Sequence, residues 1–411
     1  MIRCHAAWVL PIGQPPICDG WVAIDQEQIV ACGPATGRGD PQADHAAEVD
    51  LGQSVVLPGL VNAHTHLELS HLRGRIPPGA TFVSWIRAVM AERSAAKGPE
   101  TAEILAGVET GIAEALGCGT AAVGDISNTL VTAAPLRRSR LDGMVFNEII
   151  GFNPSDAAIV VDRARHAVRA LNDQRPARAS LAAHAPYSVS PAVMRAIAGA
   201  VSADALASCS VHLSESEEEV EFIRSGTGPW RQLLEDLGVW NPAWMAPAVS
   251  PVAYLDQLGF LTSRALAVHG VHVSDEDLAR LAARGVTLVT CPRSNEYTGA
   301  GTPPIARFYA AGVRVGVGTD SLASTPDLNV FAELAAMRRL APSVPAAALL
   351  DSATRQGARA LGLDADYGSI APGRSARLIS VALPSRMNAS SDVEEYLVSG
   401  IEAEQIAWVP A

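Results

Sequence analysis

The stretch from Leu57 to Gly74 reads LPGLVNAHTHLELSHLRG. An apolar run passes through a Pro-Gly bend and arrives at His64 and His66, two residues apart. In an extended strand, residues i and i+2 project to the same face, so both imidazoles can reach one point in space. A metal ion is the simplest occupant of that point. A structural or catalytic zinc needs three or four protein ligands, so the rest of the chain has to supply the others.

Beyond His66 the text alternates apolar, strand-like runs with Ala/Leu/Arg-rich helical segments. The runs begin at Ala121, Met144, Ala179, Cys209, Ala265, Val286 and Val313, and the His64 strand makes eight. Helical segments such as Thr101 to Leu116, Ala157 to Leu171 and Asp275 to Ala283 supply right-handed crossovers between them. Eight such units predict an α/β fold, a (β/α)8 TIM-like barrel over residues 57–364, with its active site at the C-terminal strand ends. Residues 1–56 read as a short β meander and residues 365–411 as turn-rich β text. Together they are expected to form a small β-sandwich domain beside the barrel. The segment Ser225 to Leu258, with Trp230, Trp240, Trp244 and several prolines, reads either as a packed surface excursion or as a lid beside the pocket.

The 411 residues could hold two or three average domains or one large barrel with an appendage. A net charge of −12 and a pI near 5.3 argue against nucleic acid or an anionic membrane as partner. No apolar stretch is long enough to span a bilayer, and the apolar run at the N-terminus, broken by Pro11, makes a poor signal peptide. The six cysteines stand singly, without a CxxC pair. They read as buried free thiols, and so point to a reducing cytoplasm. Assembly as a homodimer is compatible with this chain.

If the barrel forms, polar residues at its strand ends converge. His184 ends the fourth run, His212 the fifth, His269 the sixth and Asp320 the eighth, with Glu215 just after His212. Burying so many unpaired polar groups for packing alone would be costly. His64, His66, His212 and Asp320 form the expected ligand set for one divalent ion, most simply zinc, with iron or manganese as alternatives. Such an ion lowers the pKa of a bound water, leaving Glu215 and His269 as proton carriers. Two-metal barrels commonly bridge their ions with a lysine on a middle strand. The one lysine of this chain, Lys97, precedes the second strand, which favours a single metal.

Five motifs in order, HTH after LPGLVNA, HLSE at His212 to Glu215, AVHGVH around His269, CPRSN at Cys291 to Asn295 and GTDS at Gly318 to Ser321, resemble the amidohydrolase superfamily in its cytosine deaminase-like and chlorohydrolase-like branch. The resemblance covers essentially the whole chain. It implies hydrolytic deamination by metal-hydroxide attack with release of ammonia. In it Glu215 shuttles a proton to the substrate ring nitrogen, His269 and Asp320 polarise the water, and His184 contacts ribose hydroxyls. HTHLELSHLRG, FVSWI at Phe82 to Ile86, SPVAYLDQLG at Ser250 to Gly259 and CPRSN are most similar to aminodeoxyfutalosine deaminases of the futalosine route to menaquinone. That implies, as partner, a small-molecule nucleoside ending in a benzoate. Arg293 or Arg73 could grip such a carboxylate through two parallel hydrogen bonds, and Trp85 is expected at the pocket. Alternatives within the branch are deaminases of S-adenosylhomocysteine, methylthioadenosine or guanine, and triazine chlorohydrolases. A metal-holding scaffold without catalysis would have no use for Glu215 and His269. One departure from the resemblance lies in Pro372-Gly-Arg-Ser-Ala-Arg377, where Arg377 stands in place of the usual Asp.

Overall fold

The computed structural model describes residues 1–35, 46–95, 98, 100–173, 178–203 and 208–411. Residues 36–45 of the expected N-terminal β meander lie outside them, as does Lys97.

Five strands precede the barrel: β1 (Ile2–Val9), β2 (Ile17–Asp25), β3 (Gln28–Pro34), β4 (Ala47–Asp50) and β5 (Ser54–Pro58). The barrel follows as β6 (Leu60–Thr65), β7 (Thr120–Ser127), β8 (Asp142–Ile149), β9 (Ala179–Ala183), β10 (Cys209–Leu213), β11 (Ala265–His269), β12 (Thr287–Thr290) and β13 (Arg314–Val317). These eight lie side by side in chain order, and every assigned pairing among them is parallel. A parallel bridge between Thr65 and Asp320 joins the last to the first. The amides of Thr319 and Asp320 both donate to the His64 carbonyl at 3.1 Å. The barrel therefore closes at the histidine pair.

Each expected run forms a strand, and the physical reason is visible in its burial. β6, β7, β9, β10, β11 and β12 are buried at every position. Parallel strands covered on both faces produce continuous apolar runs, not alternation. The crossover helices start where side chains can satisfy their free amides. Thr101 caps Ala102–Gly117, Asp156 caps Ala157–Asn172, and Ser274 closes a capping box with Asp277 on Asp275–Arg284.

The terminal segments build one seven-stranded sheet in the order β15-β14-β5-β1-β2-β3, with β4 beside β1. Its last members are β14 (Leu378–Ala382) and β15 (Ile406–Trp408). The Tyr367 to Arg374 text is turns, not strand, since Gly368 and Gly373 take positive φ around Pro372. A helix, Ser390–Leu397, separates β14 from β15. Arg377, where the resemblance expects Asp, stacks over Trp408 at 4.2 Å and donates to the Arg140 carbonyl.

Candidate active site

His64 lies on β6 and His66 just beyond it, His212 on β10, His269 at the last position of β11, and Asp320 past the end of β13. His184 follows β9, and Glu215 follows β10. All seven gather at the C-terminal ends of the strands. Three non-glycine residues in this region have positive φ: Ser214 at 52°, His269 at 79° and Asp320 at 60°. Such backbone is uncommon for L-residues and persists where surrounding structure enforces it. Space is also short. A Cβ on Gly318 would come within 2.8 Å of His64 Cβ and of the His64 carbonyl oxygen.

The ligating atoms of His64, His66 and Asp320 lie within 4.8 Å of one another, and so do those of His64, His212 and His269. His66 Nε2 is 3.6 Å, and His64 Nε2 3.9 Å, from Asp320 Oδ1. His64 is fully buried, yet neither of its ring nitrogens has a hydrogen-bond partner. Burial, with His212, His66 and His269 nearby, holds its pKa well below the usual histidine range. A neutral imidazole with an idle lone pair beside a carboxylate is what a divalent cation requires. The residues thus fit a divalent ion beside His64, where His66 and Asp320 supply one set of nearby donor atoms and His212 and His269 another.

Around this cluster sit its orienting groups. Ser294 donates to Asp320 Oδ2 at 2.5 Å, and the Asn295 amide lies 2.9 Å from His269 Nδ1. His269 Nε2 is 3.0 Å from His212 Nδ1 and 3.3 Å from Glu215 Oε1. Burial, then the charges of Asp320 and Glu219, pushes the Glu215 carboxyl well above the ordinary carboxylate range. Glu219 accepts from the Ser214 and Glu215 amides at 2.9 Å each and so fixes the turn that carries Glu215. His184 is pinned through Nδ1 to Ser188 Oγ at 2.6 Å, and burial lowers its pKa to about 4.

The cluster forms the floor of a cavity of about 380 Å³. His66, His184, His212, Glu148, Glu215 and Asp320 line its polar side. Trp85, Ile86, Val89 and Met90 form one apolar wall, and Trp230, Leu233, Leu234, Leu237 and Val239 another. The second wall comes from the tryptophan-rich segment, which joins the pocket instead of packing as a detached excursion. Trp230 stacks on Tyr187 at 3.6 Å, while Trp240 and Trp244 pack against Phe152 and Phe222. The indole N–H groups of Trp85 and Trp230 are buried and have no acceptor.

Two expected residues lie elsewhere. Arg73 is paired with Glu114, and Arg293 donates to Asp327 at 2.8 Å with Glu333 at 3.6 Å; neither lines the cavity. Their guanidinium groups are paired with protein carboxylates away from the cavity lining. Sequence reading also missed residues that the structure brings in. Glu148, at the end of β8, presents an unpartnered Oε1 3.4 Å from His212 Nε2. Arg93 lines the cavity from the Phe82–Ala95 helix. A signal for Ser294 and Asn295 lay in CPRSN itself, where the arginine drew attention from its neighbours.

A closed parallel barrel with buried histidines and carboxylates at its strand ends defines a hydrolase built to activate water. Residues 55–402 match the model of the amidohydrolase family, and the chain belongs to that family. It is 36% identical over 353 residues to an aminodeoxyfutalosine deaminase of Deinococcus radiodurans, covering 84% of this chain and 81% of that protein. It is 30% identical to a 5-methylthioadenosine/S-adenosylhomocysteine deaminase of Moorella thermoacetica, covering 98% of this chain and 90% of that one. Among solved structures, an adenosine deaminase from Xanthomonas campestris with bound zinc superposes with a TM-score of 0.81 at 28% identity, covering 98% of this chain and 90% of that one. The protein is accordingly an enzyme of hydrolytic chemistry.

Proposed function

We propose that the protein is a metal-dependent deaminase of adenine-type nucleosides, acting on aminodeoxyfutalosine in the futalosine route to menaquinone. The observation that carries this reading is Glu215: a carboxyl on the cavity wall, 3.3 Å from His269, whose pKa burial raises well above the ordinary carboxylate range. Displacing an amino group from an aromatic ring requires a proton on the adjacent ring nitrogen, and such a carboxyl can supply it. A divalent ion on His64, His66, His212 and Asp320 would supply a Lewis-acidic centre that makes water acidic near neutral pH. Asp320, bonded to Ser294, and His269, bonded to Asn295, would take the proton of the attacking water. His184 and Glu148 offer polar contacts for ribose hydroxyls. Trp85 and Trp230 line the cavity and would flank the base with their rings. Six unpaired cysteines fit a cytoplasmic home.

The 81% coverage and 36% identity of the Deinococcus radiodurans relative support the benzoate nucleoside. Methylthioadenosine and S-adenosylhomocysteine form the second reading, supported by the Moorella thermoacetica relative. Ultraviolet assay of amino-group loss from aminodeoxyfutalosine, methylthioadenosine, S-adenosylhomocysteine and adenosine tests both. We expect the benzoate nucleoside to have the highest kcat/KM. Equal rates for adenosine would overturn the substrate assignment, and no turnover of any of the four would overturn the deaminase.

A further inference from the structure

With Arg73 and Arg293 engaged elsewhere, Arg93 is the one arginine or lysine among the described residues that line the cavity. Its position follows from helical geometry. Trp85, Ile86, Val89, Met90 and Arg93 all face the cavity, and their spacing is that of one helix face. Arg93 Nη2 donates to Glu68 Oε1 at 3.2 Å and to Asn128 Oδ1 at 3.0 Å. Nε and Nη1 make no hydrogen bond to described residues, and the side chain is 36% exposed.

Glu68 does not depend on Arg93 for its partners. The buried carboxylate also accepts from Ser127 Oγ at 2.7 Å, Thr129 Oγ1 at 2.9 Å, and the Asn128 and Thr129 amides at 3.2 and 3.4 Å. The guanidinium is thus anchored through Nη2, while Nε and Nη1 each keep an N–H for a single contact. A carboxylate meeting one such N–H makes a charge-assisted hydrogen bond, about twice as strong as a neutral one. The surroundings favour an aryl group beside it. Of the eight exposed large hydrophobic side chains among the described residues, Met90, Ile150, Leu237 and Val239 all line this cavity. Clustered exposed apolar surface marks a binding site more often than chance packing.

We propose that Arg93 is the specificity residue of the cavity. It receives the carboxylate of an aryl group at the far end of the nucleoside, whose ring lies between Val89 and Met90 on one side and Leu237 and Val239 on the other. This rests on the nucleoside deaminase reading and adds to it the residue that selects the substrate. A charge-assisted contact of this kind contributes about 10- to 100-fold to kcat/KM.

The test compares aminodeoxyfutalosine with its methyl ester in wild type, Arg93→Gln and Arg93→Lys. Arg93→Gln is expected to lower kcat/KM for the carboxylate by about 10-fold or more while the ester changes far less; Arg93→Lys recovers part of the loss. An equal loss on both substrates would mean that Arg93 only holds Glu68 and Asn128 in place, which overturns the proposal, as does no loss on either. A second arm needs no turnover: calorimetric binding of 3-acetylbenzoate and of its methyl ester. Wild type should bind the acid more tightly, and Arg93→Gln should bind the two alike; an acid preference that survives in the variant also overturns the proposal. If wild type binds the acid through Arg93 but deaminates no benzoate nucleoside, the substrate reading fails and the Arg93 site stands.

Discussion

Glu215 and Glu219 are four residues apart, buried together and chemically unlike. Glu219 spends both oxygens on the backbone amides of Ser214 and Glu215, and its pKa rises to about 7 through burial. Glu215 makes no comparable bond to an amide, so its carboxyl is free to face His269 and the cavity. One carboxyl positions the turn and the other serves the chemistry. Glu215→Gln preserves shape while removing the transferable proton. The variant should bind metal as wild type does, measured by elemental analysis, while kcat falls by about 10²- to 10⁴-fold; near-normal turnover would remove Glu215 from its role. Farther from the site, Glu333 is fully buried, and burial outweighs the attraction of Arg293 to raise its pKa to about 8. An acid whose folded pKa lies above its unfolded value favours the folded state at low pH. That stabilisation is lost as pH rises from the unfolded pKa through the folded one. Wild type should therefore lose stability relative to Glu333→Gln between about pH 5 and 8, as chemical denaturation at several pH values would read. A difference independent of pH would mean that Glu333 is ionised throughout.

Among the elements, the tightest constraint is the junction of β13 with β6. Gly318 passes so close to His64 that any side chain there must displace His64 or the strand. Gly318→Ala should destabilise the fold by about 1–3 kcal/mol through overpacking, and lower metal content with it. Wild-type melting and metal content in this variant would show that the junction is loose. The same scale explains what the sequence revealed. The eight strands were legible because parallel strands covered on both faces leave unbroken apolar runs, and the histidines were legible because they end those runs. Arg93 was not, because its role depends on which face of Phe82–Ala95 meets the cavity, and arginines on surface helices are common. Glu148 was hidden for another reason: it lies inside a run, MVFNEII, that continues past it with Ile149 and Ile150.

For the molecule as a whole, the expected ligands come from the first, fifth and eighth barrel strands or the residues just beyond them. An ion there would tie the two ends of the sheet across the bridge of Thr65 and Asp320. Any species that binds only the folded form stabilises it, by about 2.7 kcal/mol at one hundred times its Kd. Chelation should therefore lower Tm and zinc should restore it, whereas His66→Ala should blunt the response. A Tm indifferent to chelator would mean that no ion holds the barrel closed. The outer sheet was less legible than the barrel, because its order joins strands from the two ends of the chain and such pairing leaves no local trace.

Gly59 alone separates β5 of the outer sheet from β6 of the barrel, and its amide is bonded to the Arg377 carbonyl at 2.8 Å. A Cβ at that point would meet Ala121 Cβ at 2.6 Å, so the connection has no slack. In mechanical terms this is a load path. A displacement of the outer sheet at this joint would reach His64 and His66 through a single residue.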